Sequence, residues 1–175
     1  IALDAAGQGT WSREFAANTV TLDDRAQALL DFDTSVVRDD QILQRCHPND
    51  LAALHGAVAS AIESGTERSI ELVHRIVRRD GAIRWVAHNV RVLYELVGGQ
   101  RRPITAVGIS RDITEARAAE TELRASEERY RTLVDNIDGL VYTSDNQGIV
   151  TFVSRGVERF GYTPEQVVGR DRSEF

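Results

Sequence analysis

Three Val- and Ile-rich runs joined by two glycine turns fill the middle of the chain, and they leave few ways to arrange its backbone. Residues 69–79 and 83–95 flank Asp80-Gly81, and Gly98-Gly99-Gln100 leads into residues 103–110. Asp-Gly between apolar strands is a strong hairpin signal, because Gly takes positive φ at little cost. Runs joined by such short turns can only pair antiparallel. Within the first run Ile70, Leu72 and Ile76 fall on one face, while Val73 and Val77 fall on the other. A sheet wetted on one side should alternate more cleanly, so a flanking helix or a partner subunit is expected over the second face.

Upstream, residues 10–15 and 19–22 read as a strand pair about Ala16-Ala17-Asn18, where Asn suits the turn. Asp23 and Asp24 stand where a short helix over Arg25–Leu30 would start. His47-Pro48-Asn49-Asp50 then opens a longer helix over 51–64, with Leu51, Leu54, Val58 and Ile62 at helical spacing and Gly65 as its stop. Asp50 is expected to act as a cap and Asp80 as a turn residue. Five strands linked this way, with the helices gathered on one face, make the fold class α+β.

From Glu115 the chain reads as one helix to about Ile137. Ala116, Ala119, Leu123, Ser126, Tyr130, Leu133 and Ile137 recur at alternating steps of three and four, the seam of a coiled coil. The same stripe also suits a helix packed on its own domain. Leu123, Tyr130, Leu133 and Ile137 are the expected dimer interface. A shift of 130 residues then lays Gly9 on Gly139, Asn18 on Gly148, Val20-Thr21 on Val150-Thr151, Arg25 on Arg155 and Phe32 on Tyr162. This internal repeat ends before any counterpart of residues 51–110, so the second copy is expected to lack a closed core.

Composition removes several function classes. Net charge is −6, which opposes a nucleic-acid groove, and the basic run Arg75, Arg78, Arg79 and Arg84 reads as a solvated hairpin tip rather than a phosphate site. All 21 basic side chains are Arg. That removes a Schiff-base lysine and the lysine-bearing phosphate loop. The single cysteine, Cys46, excludes an internal disulfide framework and fits a reducing, cytoplasmic setting. No apolar stretch approaches a membrane span, and the polar opening does not resemble a signal peptide.

Several motifs in fixed order now carry a family resemblance. They are Gly9-Thr10-Trp11, His47-Pro48-Asn49-Asp50, the hairpin Arg75–Val86 with Asp80-Gly81 and Arg84-Trp85-Val86, and Gly108–Thr114 ending Asp112-Ile113-Thr114. Ala125–Leu133 (Ala-Ser-Glu-Glu-Arg-Tyr-Arg-Thr-Leu) and Gly161-Tyr162-Thr163-Pro164-Glu165 follow. The chain resembles PAS sensory domains with a PAC motif, found in tandem in bacterial sensor histidine kinases and diguanylate cyclases. The resemblance implies a five-stranded antiparallel sheet cupping a small cavity. It divides the chain into a PAS domain (1–114), a linker helix (115–137) and the first part of a second PAS domain (138–175). It departs from the family at Val73, where an acidic residue is usual, and at His74, which replaces an aromatic.

The expected function is that of a sensory and dimerisation module, a homodimer in the cytoplasm, relaying the state of a ligand or partner to an output domain elsewhere. The alternative is a ligand-free interaction spacer. No catalytic residue, metal site or nucleic-acid or membrane contact is expected. Asp112 and Thr114, where the last strand meets the helix, are the expected signal-transfer residues. The cofactor stays unknown. Flavin bonded at Cys46 is disfavoured by its Gln-Arg-Cys-His-Pro context, and haem on His55 by the absence of any second signal. His47, His55, His74 and His88 show no metal-ligand spacing. Gly98-Gly99-Gln100-Arg101 lacks the acidic residues of a cyclase motif and reads as a turn.

Overall fold

A computed structural model describes residues 7–65, 67 and 69–175 of the chain; the polar opening, residues 1–6, lies outside them. Two compact units result, residues 1–117 and 118–175.

The first unit is built on an antiparallel sheet of β1 (Gly9–Glu14), β2 (Thr19–Leu22), β3 (Val36–Arg38), β4 (Ile70–Val77), β5 (Ile83–Val97) and β6 (Gln100–Asp112). Its order is β3-β2-β1-β6-β5-β4. The hairpin-linked strands form as their turns require, and β3 adds a sixth, three-residue strand at the β2 edge. It is too short to show a period of its own. The sheet closes through β1 on β6, Gly9 opposite Ser110 and Trp11 opposite Gly108. That pairing joins segments about a hundred residues apart.

Three helices precede β4: α1 (Asp24–Leu30), α2 (Asp39–Arg45) and α3 (Leu51–Glu63). Asp23 caps α1 through its Oδ1, which accepts from Ala26 N at 2.7 Å. Its Oδ2 accepts from Thr10 N and Oγ1 at 2.8 and 2.7 Å, tying the helix start to β1. Burial opposes ionisation of Asp23, yet these hydrogen bonds hold its carboxyl below the ordinary range. Asp31 ends α1 in the left-handed conformation. Helix α2 starts with Gln41 Oε1 accepting from Arg38 N at 2.8 Å.

Val20, Leu22, Ala26, Leu30, Val37, Ile76 and Val86 form the main core, with Trp11, Leu29, Phe32 and Ile42 packed against it. Val90, Val92 and Ala106 make a second cluster further along the same sheet face. The stripe of α3 behaves differently from its pattern. Leu51, Leu54, Val58 and Ile62 are only half-buried, and no residue of α3 is fully buried. The helix stands off the sheet and walls a cavity instead of sealing a core. On the opposite sheet face Val73 and Val107 are exposed.

Helix α4 (Thr114–Asp135) follows β6 and has no buried residue. In the second unit β7 (Tyr142–Ser144) pairs antiparallel with β8 (Val150–Val153). A 3-10 turn over Arg155–Phe160 and a short α5 (Pro164–Val167) follow. Val150, Val153, Val157 and Val167 form its small cluster, while Phe160 and Phe175 are exposed.

Candidate functional site

The alternation of β1, β4, β5 and β6 puts one residue in two on the helix-covered face. Trp11 and Arg13 on β1 and Phe15 just beyond it, with Ile70, Leu72, His74 and Ile76 on β4, line a cavity there. His88, Val90 and Val92 of β5, Ala106 of β6 and Val20 and Leu22 of β2 extend its sheet wall, and Leu30, Ile42, Leu54, Val58 and Ile62 stand on the helical side. Its volume is about 360 Å³, near the lower end of small-molecule sites, which run from about 300 to 1,000 Å³.

A polar row crosses this apolar wall over four strands. Trp11 Nε1 donates to Ser110 Oγ at 2.9 Å, and Ser110 Oγ lies 2.6 Å from His88 Nδ1. His74 stacks on His88, centroids 4.8 Å apart and planes 12° off parallel. Both histidines and Ser110 are buried. Burial, then the neighbouring His74, lowers the His88 pKa to about 3, so the ring is neutral at physiological pH. Burial also lowers His74, with Asp50 opposing. Indole can only donate. The Ser110 hydroxyl therefore accepts from Trp11, and its own hydrogen finds no acceptor among the described residues except His88 Nδ1. That order leaves the His88 proton on Nε2.

At one side of the cavity Arg13 Nη2 meets Asp39 Oδ2 at 2.8 Å, and its guanidinium lies over Phe15. His55, exposed on α3, also lines the space. Cys46 is buried but is not among the lining residues; burial raises its thiol pKa, and Sγ lies 3.7 Å from the His47 carbonyl. Among the described residues no His, Cys, Asp and Glu group could hold a metal ion.

A second network starts where α3 begins. His47 Nδ1 accepts from Asn49 N at 3.2 Å, forming the expected turn. Asp50 does not cap α3 with its side chain, contrary to its place in the motif. Its Oδ2 accepts from Arg75 N and Nε, both at 2.9 Å, and its Oδ1 from Nη2 at 2.5 Å. This side-chain pairing with Arg75 holds the Asp50 carboxyl far below the usual range, although desolvation opposes it. The pairing wins over capping because a bidentate charged contact exceeds one neutral amide bond.

The Arg75 guanidinium lies 5.3 Å from the Trp85 ring centroid, and Arg117 of α4 lies 4.1 Å from the same ring. Trp85 N donates to Thr114 Oγ1 at 2.9 Å, and Ile113 N donates to Trp85 O at 2.9 Å. Asp112 Oδ1 accepts from Thr114 N at 2.9 Å, while Oδ2 meets Arg84 Nη1 at 2.5 Å. Burial opposes ionisation of Asp112, but bonds from Thr114 and Arg84 hold its pKa down. Thr114 thus fastens the start of α4 to β5, which sequence spacing alone did not reveal.

The basic run of the hairpin is fully committed to carboxylates. Arg75 pairs with Asp50, Arg78 with Asp31, Arg79 with Asp33 and Asp31, and Arg84 with Asp112. Asp80 Oδ1 accepts from Ala82 N at 2.9 Å, as its turn position implies. On α4 the seam residues Leu123, Tyr130 and Leu133 are 62%, 67% and 66% exposed, and Ile137 beyond the helix is 51% exposed. His88, Ser110 and Arg75 were not singled out as site residues from sequence. The available signal was period two: it sets His74 among Ile70, Leu72 and Ile76, and His88 among Val86, Val90 and Val92.

A family model described as PAS fold matches residues 19–107. The two-component sensor PprA of Pseudomonas aeruginosa is 29% identical over 153 residues, covering 86% of this chain and 16% of that protein. An uncharacterized protein, y4lL, of Sinorhizobium fredii is 34% identical over 74 residues, or 42% of this chain and 9% of its own length. The chain therefore spans only a small part of these relatives. Among solved structures, a sensory box histidine kinase/response regulator from Burkholderia thailandensis aligns with TM-score 0.60 and 21% identity, over 75% of this chain and 95% of that one. The N-terminal domain of a diguanylate cyclase with PAS/PAC sensor from Marinobacter aquaeolei aligns with TM-score 0.53 and 19% identity, over 63% and 98%. At these identities the structural likeness speaks for the fold.

Proposed function

The chain belongs to the PAS family, and from that premise we propose that its first unit senses a cavity occupant and passes the result through α4 to an output domain in the same signalling protein. A PAS domain of this kind is a sensory module rather than a catalytic one. The observation that carries the relay is the continuous path from α3 to α4. Helix α3 walls the cavity; Asp50 at its start grips Arg75; Arg75 and Arg117 both lie on Trp85, and Trp85 holds Thr114. Any shift of α3 moves Asp50, and every later contact is short enough to feel that motion. Asp112 and Thr114 act in this reading as the fastening of the output helix.

Asp50→Asn tests the relay within the chain itself. It removes the charge-assisted bonds to Arg75, at a cost of about 2 kcal/mol. Amide hydrogen exchange over residues 113–117 is expected to accelerate several-fold more than exchange in β2. Unchanged protection at the start of α4 would sink the relay.

The module is also read as a homodimer whose seam is Leu123, Tyr130, Leu133 and Ile137. The exposure of these apolar residues supports the reading, and steps of seven and three keep Leu123, Tyr130 and Leu133 on one helix face. Leu133→Glu is expected to turn a dimer into a monomer in sedimentation equilibrium. A wild-type chain that sediments as a monomer at high micromolar concentration rejects the dimer.

Residues 138–175 are read as the opening of a second PAS domain. Support comes from the backbone: positive φ occurs at Asn18 and Gly148 and again at Asp31 and Gly161, and both pairs lie 130 residues apart. The setting is proposed to be cytoplasmic, on the evidence of one unpaired cysteine. No helix among the described residues is long and apolar enough to cross a membrane.

A further inference from the structure

Among the described residues, the buried side-chain polar atoms without a hydrogen-bond partner are Arg13 Nε, His74 Nδ1 and His88 Nε2. All three residues line the one cavity of about 360 Å³ between the sheet and α3. Leaving such a group unsatisfied costs about 1–3 kcal/mol. Their convergence on a single space therefore describes what that space is built to receive.

The chemistry of the atoms gives the polarity of the missing partner. Trp11 donates to Ser110, and Ser110 donates to His88 Nδ1, so His88 Nε2 carries a hydrogen and can only donate. Arg13 Nε is a donor under all conditions, and its Nη2 is already given to Asp39. At least two donors on residues that line the cavity thus lack an acceptor. The charge balance is equally informative. Arg13 is neutralised by Asp39, Arg45 faces Asp31 at 3.9 Å, and both buried histidines are neutral. An anion entering here would lose its hydration and meet only arginines that already face a carboxylate. Apart from Asp39, Arg45 and His55, the rest of the wall is mainly hydrocarbon, from residues such as Phe15, Ile42, Leu54, Val58, Ile70 and Val92.

We propose that the cavity takes a small, uncharged, largely apolar molecule carrying a carbonyl-type oxygen, which accepts a hydrogen bond from His88 Nε2. The assignment rests on the sensory reading above and adds the class of ligand to it. Trp11–Ser110–His88 is then a device that sets the imidazole tautomer, so that the donor faces the ligand.

The test uses three probes of one shape: acetophenone, ethylbenzene and benzoate. They are titrated into the 175-residue chain and followed by the indole N–H resonance of Trp11. Acetophenone is expected to bind about tenfold tighter than ethylbenzene, the value of one net hydrogen bond, and tighter than benzoate. His88→Phe, which keeps a ring without a donor, is expected to abolish the advantage over ethylbenzene. Long-range proton–nitrogen spectra of the wild-type imidazole supply a reading that needs no variant. They are expected to show a proton on Nε2 whose shift responds to acetophenone and not to ethylbenzene. Equal affinity for acetophenone and ethylbenzene, or a preference for benzoate, overturns the ligand class while leaving a ligand-binding cavity. Failure of all three to perturb Trp11 overturns the class together with the ligand-sensing reading.

Discussion

Acidification from neutral to about pH 4 is expected to remove about 3 kcal/mol of stability from the first unit through His88 alone. Its ring is held neutral by burial and by the stacked His74, with a folded pKa of about 3 against an ordinary 6.5. Because the folded value is depressed, the unfolded chain takes up the proton first as pH falls. The stabilisation is therefore complete above about pH 6.5, declines through the interval down to about pH 3, and is gone below it. At 1.36 kcal/mol per unit, the two and a half units between 6.5 and 4 give the figure. The groups facing His88 are His74, Ser110 and Trp11, and none is a carboxylate that would shelter an imidazolium. His74, lowered in the same direction, adds to the loss.

Asp23, Asp50 and Asp112 have depressed folded pKa values. Their contributions are present above the ordinary 3.8 and fall away only at lower pH. Urea unfolding at several pH values between 7 and about 5, above the range in which the aspartates take up protons, therefore isolates the histidines. His88→Phe should flatten most of the slope. A wild-type midpoint that stays constant over this interval would show that the imidazole is hydrated in the folded chain.

Gly9→Ala is expected to cost about 3 kcal/mol, at the upper end of what overpacking a tight contact exacts. A Cβ built on Gly9 would lie 2.4 Å from Ala26 N and 2.6 Å from Ala26 Cα, both backbone atoms of α1 that cannot rotate away. Helix α1 is pinned at that point by Asp23, whose carboxylate binds Ala26 N and Thr10 together. The methyl must therefore push α1 off β1 and loosen the main core cluster with it. Gly56→Ala supplies the contrast, because a Cβ there meets nothing within 4 Å and the position lies inside α3. That change should stabilise by up to about 1 kcal/mol through helix propensity. The two midpoints should move in opposite directions on urea unfolding. A Gly9→Ala chain with the wild-type midpoint would mean that α1 does not sit this close to β1.

What could be read without coordinates was whatever depends on near neighbours in the chain. Asp80-Gly81 and Gly98-Gly99 turn the backbone locally, so the paired strands β4, β5 and β6 followed from residue type and spacing. Uninterrupted helix formers made α4, and a motif order held along most of the chain named the family. Two short elements, α2 and β3, were missed because three to seven residues carry too little period to stand out. Asp50 was misjudged for a related reason. A cap is a contact within the chain's own next turn, whereas Arg75 lies twenty-five residues away.

The site was decided almost wholly by tertiary structure. The period of β1, β4, β5 and β6 assigns each residue to a face, but only strand order sets Trp11, Ser110, His88 and His74 in one row. That order requires β1 to insert beside β6, across a separation of ninety-nine residues between Trp11 and Ser110. Burial then lowers the pKa of both histidines, and the bond to Ser110 orients His88, effects of local polarity and cross-strand contact that no sequence spacing encodes. Local turns, alternation and motif order are enough to mark this chain as a PAS domain followed by a helix. The cavity comes from the packed sheet and the helix standing off it, and so do the three buried nitrogens without a partner on residues that line it.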